Sequence, residues 1–178
     1  MLFNKYDGRV HLMERIEDTG VFELFIPGLA AGCGYMYEIK RQGKGTTRKL
    51  DPVSRQISSV PITASVVSDE NMPDSYAWND GLWMIKRKKE AGKKKPVTVY
   101  EVSLTDWLKE KSADELVDFV KQEGYTHVCF LPVAEYLNEE MNGYSTLGYF
   151  AVTHRTGGSD AFKKLVDDCH NAGIGVII

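Results

Sequence analysis

From residue 96 onward, the chain alternates short apolar runs with helical patterns, and this alternation constrains the fold more than any other feature. The runs span residues 97–104 (VTVYEVSL), 128–133 (VCFLPV) and 174–178 (IGVII), and their composition favours strands. The first two start 31 residues apart, which suits a strand–helix–strand unit of about 30 residues. Right-handed crossovers would make all three strands parallel. The pattern therefore predicts an α/β segment with a parallel sheet.

Two helices are predicted between these strands. Ser112 with Glu115 three residues later is a capping box, and Gly124 is placed to end the first helix. Ser159 is expected to cap the second helix and Gly173 to end it. Apolar residues recur at helical spacing in both segments, at Ala113, Leu116, Val117, Val120, Phe162, Leu165, Val166 and Cys169. Each helix thus has one face to bury against the sheet.

The connection after the second strand, residues 134–158, is much longer than the returns from helix to strand. Within it, residues 142–157 (NGYSTLGYFAVTHRTG) are rich in glycine and tyrosine. Loops that follow parallel strands gather at the carboxyl end of the sheet, where such folds place their sites. The sequence therefore predicts a binding loop at this edge.

The first half of the chain has a strand-like pattern instead. Residues 21–26 (VFELFI) place Phe22, Leu24 and Ile26 on one face of a strand, and residues 35–39 (YMYEI) do the same with Tyr35, Tyr37 and Ile39. The segment between them is rich in glycine. This predicts a hairpin within a small β-sandwich. Residues 40–95 contain many glycines and prolines with little periodicity, so they are predicted to form a long irregular connection.

A basic run at residues 86–89 and 93–95 lies within that connection. It has no aromatic platform beside it, which favours a solvated linker over a polyanion-binding site. The net charge of the whole chain is -3. The expected partners therefore do not include nucleic acid.

Other sequence features bear on location and cofactors. The chain has no run of about 18 apolar residues, as a membrane span needs, and residues 1–20 do not resemble a secretory signal. We therefore expect a cytoplasmic protein that does not partner a membrane. The three cysteines are predicted to be buried free thiols. His127 and Cys129 would share a strand face, but two ligands make a poor metal site, so neither metal nor cofactor is expected.

Eight strings of this sequence follow one another as in the bacterial 1,4-α-glucan (glycogen) branching enzymes of the α-amylase superfamily of glycoside hydrolases. They are FNKYDGRV, GVFELFIPGL, TASVVSD, YAWNDGLWM, VYEVSL, GYTHVCFLPVAE, GYFAVTHR and FKKLVDDCHNAGIGVI. The resemblance runs from about Phe3 to Ile178. It therefore covers essentially the whole chain.

The resemblance implies an architecture in three parts. Residues 1–68 would be the later part of an immunoglobulin-like β-sandwich, a carbohydrate-binding module, and residues 69–95 a linker. Residues 96–178 would form the first three β/α units of a catalytic (β/α)8 TIM barrel. The family has further sandwich strands before this segment and five more barrel strands after it. Those remaining strands are the expected structural partner of the chain.

The implied activity is retaining covalent glycosyl transfer in glycogen biosynthesis, which moves a cleaved α-1,4 chain to a 6-hydroxyl of an α-glucan. Such a transfer needs two carboxyl groups about 5–5.5 Å apart, and the family places its catalytic carboxylates after later barrel strands. The chain alone is therefore expected to lack catalytic residues and to be inactive. Its own carboxylates near strand ends, Asp106, Glu135, Glu139 and Glu140, are expected to be solvated or supporting.

Tyr144 and Gly143 are the substrate-binding residues that the resemblance implies. The family position of Tyr144 lines the sugar site beside the cleaved bond, and an aromatic ring packs well on the apolar face of a pyranose. Gly143 would let the backbone come close to the sugar. Tyr149 and Arg155 also match family positions, although packing and loop bracing would explain them equally well.

Two alternatives to a branching enzyme are open, and departures from the family pattern motivate the first of them. The family usually has Trp-Gly-Tyr-Gln where this chain has residues 142–145 (NGYS), and Glu-His-Pro at residues 135–137 (EYL). One alternative is a non-catalytic glucan-binding remnant. The other is a debranching or α-amylase-type glycosidase.

Overall fold

The computed structural model describes residues 2–3, 10–58, 62–68, 76–138, 141 and 143–178. The chain divides into two compact units. Unit 1 comprises Met1–Pro73 and Gly148–Ala151, and unit 2 comprises Asp74–Leu147 and Val152–Ile178. Both strands and helices are present, as a mixed fold requires. Within the described residues, no helix has the length and apolar character to cross a membrane.

Unit 1 is built from short strands. They are β1 Leu2–Phe3, β2 Glu14–Arg15, β3 Phe22–Glu23, β4 Gly34–Tyr35, β5 Tyr37–Arg41, β6 Gly45–Lys49, β7 Ile57–Ser58 and β8 Ala64–Val66. One antiparallel sheet has the order β1-β4-β8-β7, while β2 pairs with β3 and β5 with β6. The buried centre of the unit includes all three residues of β8.

A buried polar group links the strands of unit 1. The Tyr35 hydroxyl donates a hydrogen bond to the Asp51 carboxylate, and the Asp51 N–H donates to Ser65 Oγ at 2.9 Å. Burial, together with the hydrogen bond to Asp51, raises the pKa of Tyr35. The β4 and β8 strands are therefore joined through the loop at Asp51 as well as through their own ladder.

The predicted hairpin between residues 21–26 and 35–39 is wrong. Residues Phe22–Glu23 pair with Glu14–Arg15, and Tyr37–Arg41 pairs with Gly45–Lys49. The reason is local, because Gly43 adopts a φ of 72° and closes a short turn directly after β5. That turn brings a partner strand within three residues, so no longer-range pairing is needed.

Residues 40–95 also contain more regular structure than the sequence predicted. Besides β6, β7 and β8, they include helix α1, Gly81–Glu90. Every residue of β6 is exposed, and α1 has no buried residue. Neither element needs an apolar face, which is why periodicity did not reveal it.

Unit 2 follows the predicted alternation of strands and helices. After α1 come β9 Val99–Val102, α2 Leu104–Trp107, α3 Ala113–Gln122, β10 His127–Phe130, β11 Ala134–Tyr136, β12 Thr146–Val152, α4 Gly158–Asn171 and β13 Gly175–Ile177. Of β12, Gly148–Ala151 belong to unit 1. Strands β9, β10 and β13 form a parallel sheet in the order β13-β10-β9. The three predicted parallel strands are therefore confirmed, and each is shorter than the apolar run that predicted it.

The core of unit 2 lies between this sheet and helices α3 and α4. Its buried members are Leu104, Leu116, Val117, Val120, Val128, Phe130, Phe162, Leu165, Cys169 and Ile174. Six of these come from the helical stripes predicted from spacing, which confirms the orientation of both helices. Each such side chain contributes roughly 1.5–3 kcal/mol on burial.

Close packing also fixes one residue of β13. Gly175 lies opposite His127 of β10 in the parallel register. A Cβ atom at position 175 would lie 2.6 Å from Nε2 of His127, which is far inside van der Waals contact. Position 175 therefore accepts only glycine while His127 keeps its place.

The cysteines do not form disulfides. Cys33, Cys129 and Cys169 are free; Cys33 and Cys169 are buried and Cys129 is half-buried. Burial raises the pKa of the Cys169 thiol to about 12, so this thiol stays protonated at neutral pH.

The helix ends agree with the sequence at three of four positions. Ser112 Oγ accepts from the Glu115 N–H at 3.2 Å while the Ser112 N–H donates to Glu115 Oε2 at 2.7 Å, so the capping box of α3 is confirmed. Gly124 and Gly173 take φ values of 76° and 87° and close α3 and α4 as predicted. Ser159 is the exception, since α4 begins at Gly158 and no side chain caps it.

The backbone that precedes α4 explains why Ser159 does not cap this helix. A 3-10 helix, His154–Thr156, is capped by Thr153 and ends at Gly157, whose φ is 88°. Gly158 follows with a φ of 77°. The start of α4 is therefore set by two glycines in the left-handed region rather than by a serine cap.

These two serines give a matched test of capping. We expect Ser112→Ala to lower the free energy of unfolding by about 1 kcal/mol, because one end of the capping box is lost. Ser159→Ala removes the same hydroxyl from an exposed site that caps nothing and should leave stability unchanged. Urea unfolding followed by circular dichroism would measure both, and equal effects would contradict the capping assignment.

Candidate functional site

A small cavity opens at the carboxyl ends of β9 and β10. Its volume is about 120 Å³, and it is lined by residues 103–106 and Lys109 after β9, residues 131–133 after β10, and by Tyr136 and Thr156. This is the edge at which loops after parallel strands were expected to gather. Because hydroxyl, carboxylate and ammonium groups lie among these residues, the cavity suits a small polar ligand or part of one.

The sequence predicted a loop for the long connection after β10, but the connection contains regular structure. It contains β11 and β12, which form a two-stranded sheet. The Leu137 N–H donates to Ser145 O at 3.0 Å, and the Thr153 N–H donates to Val133 O at 2.9 Å. The β-branched and aromatic residues of β12 explain the strand. The predicted binding segment is therefore held by backbone hydrogen bonds at both ends.

Glu135 is the centre of a buried polar cluster at this edge. Its side chain is 1% exposed. The carboxylate accepts hydrogen bonds from Thr153 Oγ1 at 3.2 Å, from the His154 N–H at 3.0 Å and from Arg155 Nη1 at 2.6 Å. His154 Nδ1 lies 2.8 Å from the same carboxylate, and the Tyr136 N–H is 3.2 Å away. One carboxylate thus ties β11 to the residues that follow β12.

These contacts decide the charge of Glu135. Burial alone raises the pKa of its carboxyl, but the hydrogen bonds from the ring and the backbone N–H of His154 outweigh burial and lower the pKa. Glu135 is therefore ionised at neutral pH, with both oxygens engaged. Such a group supports its neighbours rather than reacting, which agrees with the supporting role expected from the sequence.

Arg155 takes part in the same cluster. Its guanidinium forms the ion pair with Glu135 and also lies over the Tyr136 ring, 4.2 Å from the centroid. A stacked and paired guanidinium is held in one orientation. This geometry favours the loop-bracing explanation of Arg155 over direct substrate binding.

Asp106, the other candidate carboxylate that the structure describes, is not brought into this cluster. Asp106 is exposed and lies 2.7 Å from Lys109 Nζ. The hydrogen bond from Lys109, followed by that from Ser103, lowers its pKa. Glu139 and Glu140 lie outside the described residues. Asp106 therefore lines the cavity as half of an exposed ion pair.

Gly143 and Tyr144 lie at the turn between β11 and β12. Gly143 has a φ of 87°, and a Cβ atom there would lie 2.9 Å from Pro132 O. The close approach that this glycine permits is thus to Pro132, a residue of the cavity lining. Tyr144 is 64% exposed, and its N–H donates to Met141 O at 2.9 Å. The tyrosine is presented on a turn packed over the cavity edge, and its contact with substrate stays a prediction.

Sequence reasoning did not identify Thr153 and His154 as partners of Glu135. The available signal was the polar run at residues 153–156 directly after an apolar strand. Pairing β11 with β12 brings that run back to Glu135, and no spacing rule along the chain predicts this pairing. Among the side chains that the structure describes, no group of three His, Cys, Asp or Glu is arranged to hold a metal ion.

We expect Glu135→Gln to lower the free energy of unfolding at pH 7 by about 3 kcal/mol, because it removes the buried charge that pairs with Arg155 and accepts hydrogen bonds from Thr153 and His154. The effect should depend on pH. The folded-state pKa of Glu135 lies below its ordinary value of 4.5, so the ionised carboxylate stabilises the fold fully above pH 4.5. This stabilisation is lost as the pH falls from 4.5 through the folded-state pKa. The difference in free energy of unfolding between the wild type and Glu135→Gln should therefore become smaller at acidic pH.

Urea unfolding over a series of pH values would measure this difference. Asp106→Asn is the matched control, because it also removes a carboxylate with a lowered pKa, but from an exposed ion pair of small worth. A pH-independent deficit for Glu135→Gln, or an equal deficit for the control, would show that the buried charge does not brace this edge.

Comparison with known proteins gives consistent relatives. No family model matches the chain. The 1,4-alpha-glucan branching enzyme of Nitrosococcus oceani is 41% identical over 186 residues, which cover 99% of this chain and 24% of that protein. The enzyme of the same name from Gloeobacter violaceus is 40% identical over 188 residues, covering 99% of this chain and 25% of that protein. The chain therefore spans about a quarter of the length of the curated relatives it matches.

Solved structures resemble the chain as well. A Salmonella typhimurium protein named as an alpha amylase superposes with a TM-score of 0.65 at 25% identity, covering 92% of this chain and 26% of that one. The pullulanase SAP of Group B Streptococcus has a TM-score of 0.56 at 21% identity, covering 81% of this chain and 24% of that one, and this likeness concerns the fold. Together with the sequence relatives, these matches confirm the resemblance found in the sequence: over nearly its whole length, the chain is a homologue of a segment of the 1,4-alpha-glucan branching enzymes.

Proposed function

We propose that the chain is part of a 1,4-α-glucan branching enzyme of glycogen biosynthesis. This enzyme would cleave α-1,4 links and transfer the chain to a 6-hydroxyl by retaining covalent glycosyl transfer. The observation that carries the proposal is the 41% identity over 99% of the chain to a protein named as such an enzyme. A cytoplasmic location stays a prediction from the sequence.

The architecture proposed for this enzyme follows the resemblance. Residues 96–178 would begin a (β/α)8 barrel, and residues 1–68 would belong to an immunoglobulin-like carbohydrate-binding sandwich. Support for the barrel comes from β9, β10 and β13, which are parallel neighbours in chain order with a helix in each connection, as in a barrel. Support for the sandwich is limited to the antiparallel sheet of unit 1. The remaining barrel strands would be supplied by the rest of the enzyme.

Within that enzyme, the cavity edge would bind the α-glucan rather than perform the chemistry. A retaining transfer requires a nucleophile and an acid about 5–5.5 Å apart. Glu135 is buried with its oxygens occupied, and Asp106 is paired with Lys109. Neither carboxylate is placed to attack a sugar. As the resemblance implies, the catalytic carboxylates would follow barrel strands beyond β13.

Tyr144 would provide the substrate contact. Its ring is largely exposed, while the turn that carries it is fixed by Gly143 against Pro132. A pyranose that stacks on this ring buries apolar area without first displacing another side chain. A neutral sugar can stack on such an exposed ring, because this stacking requires neither a charged group nor a metal ion.

We expect Tyr144→Ala to weaken binding of maltoheptaose to the chain about tenfold, as loss of one aromatic anchor typically does. Tyr144→Phe should bind nearly as well as the wild type, because it keeps the stacking ring. Leu137→Ala is the positional control, since Leu137 is 61% exposed on the same hairpin but offers no ring. Isothermal titration calorimetry would measure all four proteins, and equal losses for Tyr144→Ala and Leu137→Ala would refute the assignment.

The 178-residue polypeptide by itself should form no α-1,6 linkages in amylose. Proton NMR of the treated glucan would detect new branch points directly. Their appearance would contradict the proposal that the catalytic carboxylates lie elsewhere in the enzyme. Glucan binding without branching by the full-length protein would instead favour the glucan-binding remnant.

A further inference from the structure

Helix α1 is anchored at its N-terminal end to helix α4. The Trp83 ring stacks on His170 with centroids 5.0 Å apart and planes 14° apart. His170 Nδ1 lies 2.7 Å from Asp80 Oδ2, and the Asn79 N–H donates to Asp167 Oδ1 at 3.0 Å. The helix is therefore presented in a fixed position, whereas the sequence favoured a solvated linker here.

The other end of the helix concentrates positive charge. Residues 86–95 contain seven Lys or Arg residues and one Glu, a net charge of +6, and since the whole chain carries -3, the rest carries -9. Within the described part of this segment, one ion pair is present, between Lys95 and Glu90 at 2.7 Å. The positive charge is thus concentrated in this segment and largely unneutralised, although the chain as a whole is negatively charged.

Aliphatic side chains are exposed on the same helix. Leu82 is 84% exposed, and Met84 and Ile85 are about half exposed. A shallow groove on the helix is lined by three apolar residues and two cations, namely Met84, Ile85, Ala91, Arg87 and Lys88. Exposed apolar groups next to charges of one sign indicate a contact surface with a charged partner.

The geometry distinguishes between kinds of partner. A membrane surface needs the apolar side chains of a helix on one uncharged face, but Lys88 lies four positions after Met84 and Lys89 four after Ile85, on the same sides of the helix. Single-stranded nucleic acid favours free aromatic rings, but the one aromatic ring of α1 is already stacked on His170. Duplex DNA would pair with the cations but would leave Met84 and Ile85 uncovered. A neutral glucan would leave the cations unpaired. A narrow ligand with both carboxylates and an aliphatic group matches all the lining residues.

We propose that this groove binds an acidic peptide segment of a partner protein, with an aliphatic side chain placed between carboxylates. The aliphatic group would lie against Met84 and Ile85, and the carboxylates would pair with Arg87 and Lys88. The remaining lysines would attract the segment at longer range, within the Debye length of about 8–10 Å. This surface is separate from the cavity edge, so its use does not depend on glucan binding.

A labelled synthetic peptide, Glu-Glu-Leu-Glu-Glu-Leu-Glu-Glu, would test the proposal by fluorescence anisotropy with the full 178-residue chain. We expect saturable binding that weakens as salt rises, and a loss of about tenfold or more on replacing Arg87 and Lys88 together by Glu. A peptide with Ser in place of both Leu residues should bind more weakly, because the apolar contact is lost. Ile85→Ser should weaken binding of the leucine peptide and not of the serine peptide.

Reversal of Lys93 and Lys94 to Glu is the matched control, since it changes the net charge equally but lies outside the groove lining. Unfolding curves of all variants would verify that they remain folded. Equal losses for the two charge reversals, or equal binding of the two peptides, would overturn the proposal. So would tighter binding to duplex DNA or to phosphatidylglycerol vesicles than to the leucine peptide.

Discussion

The carboxyl edge of the parallel sheet depends on one buried carboxylate. Glu135 follows β10 closely and accepts hydrogen bonds from three consecutive residues after β12, Thr153, His154 and Arg155. Burying a carboxylate costs several kcal/mol unless partners compensate for lost water, and here the partners come from the far end of the hairpin. The hairpin can therefore adopt its position only when both of its ends meet at Glu135. The positions of the cavity lining and of the turn with Tyr144 therefore depend on these hydrogen bonds to Glu135.

A braced edge suits a binding role. The cavity is lined by polar groups from the loops after β9 and β10, and Gly143 brings the hairpin turn against Pro132 at its side. A protein that holds a long, flexible glucan gains affinity from groups that are ordered before the ligand arrives. The proposed division of tasks follows from this. In that proposal, this segment would orient the substrate, and the carboxylates that react with it would belong to later strands.

The sequence predicted those parts of the fold in which burial leaves a periodic trace. The stripes of α3 and α4, the capping box at Ser112 and the closing glycines Gly124 and Gly173 all correspond to the structure. Strand β6 and helix α1 were not predicted because neither buries a face, so hydrophobic periodicity carries no information there. For the candidate site, the edge of the sheet was predictable from topology. The cluster around Glu135 was not, because it arises from strand pairing between residues that are distant along the chain.

The contact between Gly175 and His127 has a consequence for how this sequence can change. The two residues face each other across β13 and β10, and the imidazole occupies the space that a Cβ atom at position 175 would need. Position 175 is therefore not free to vary alone, whereas a smaller side chain at 127 would leave Gly175 undisturbed. A lineage that placed alanine or serine at 175 would first have to shorten the side chain at 127, so among homologues a residue other than glycine at 175 should occur only together with a smaller residue at 127.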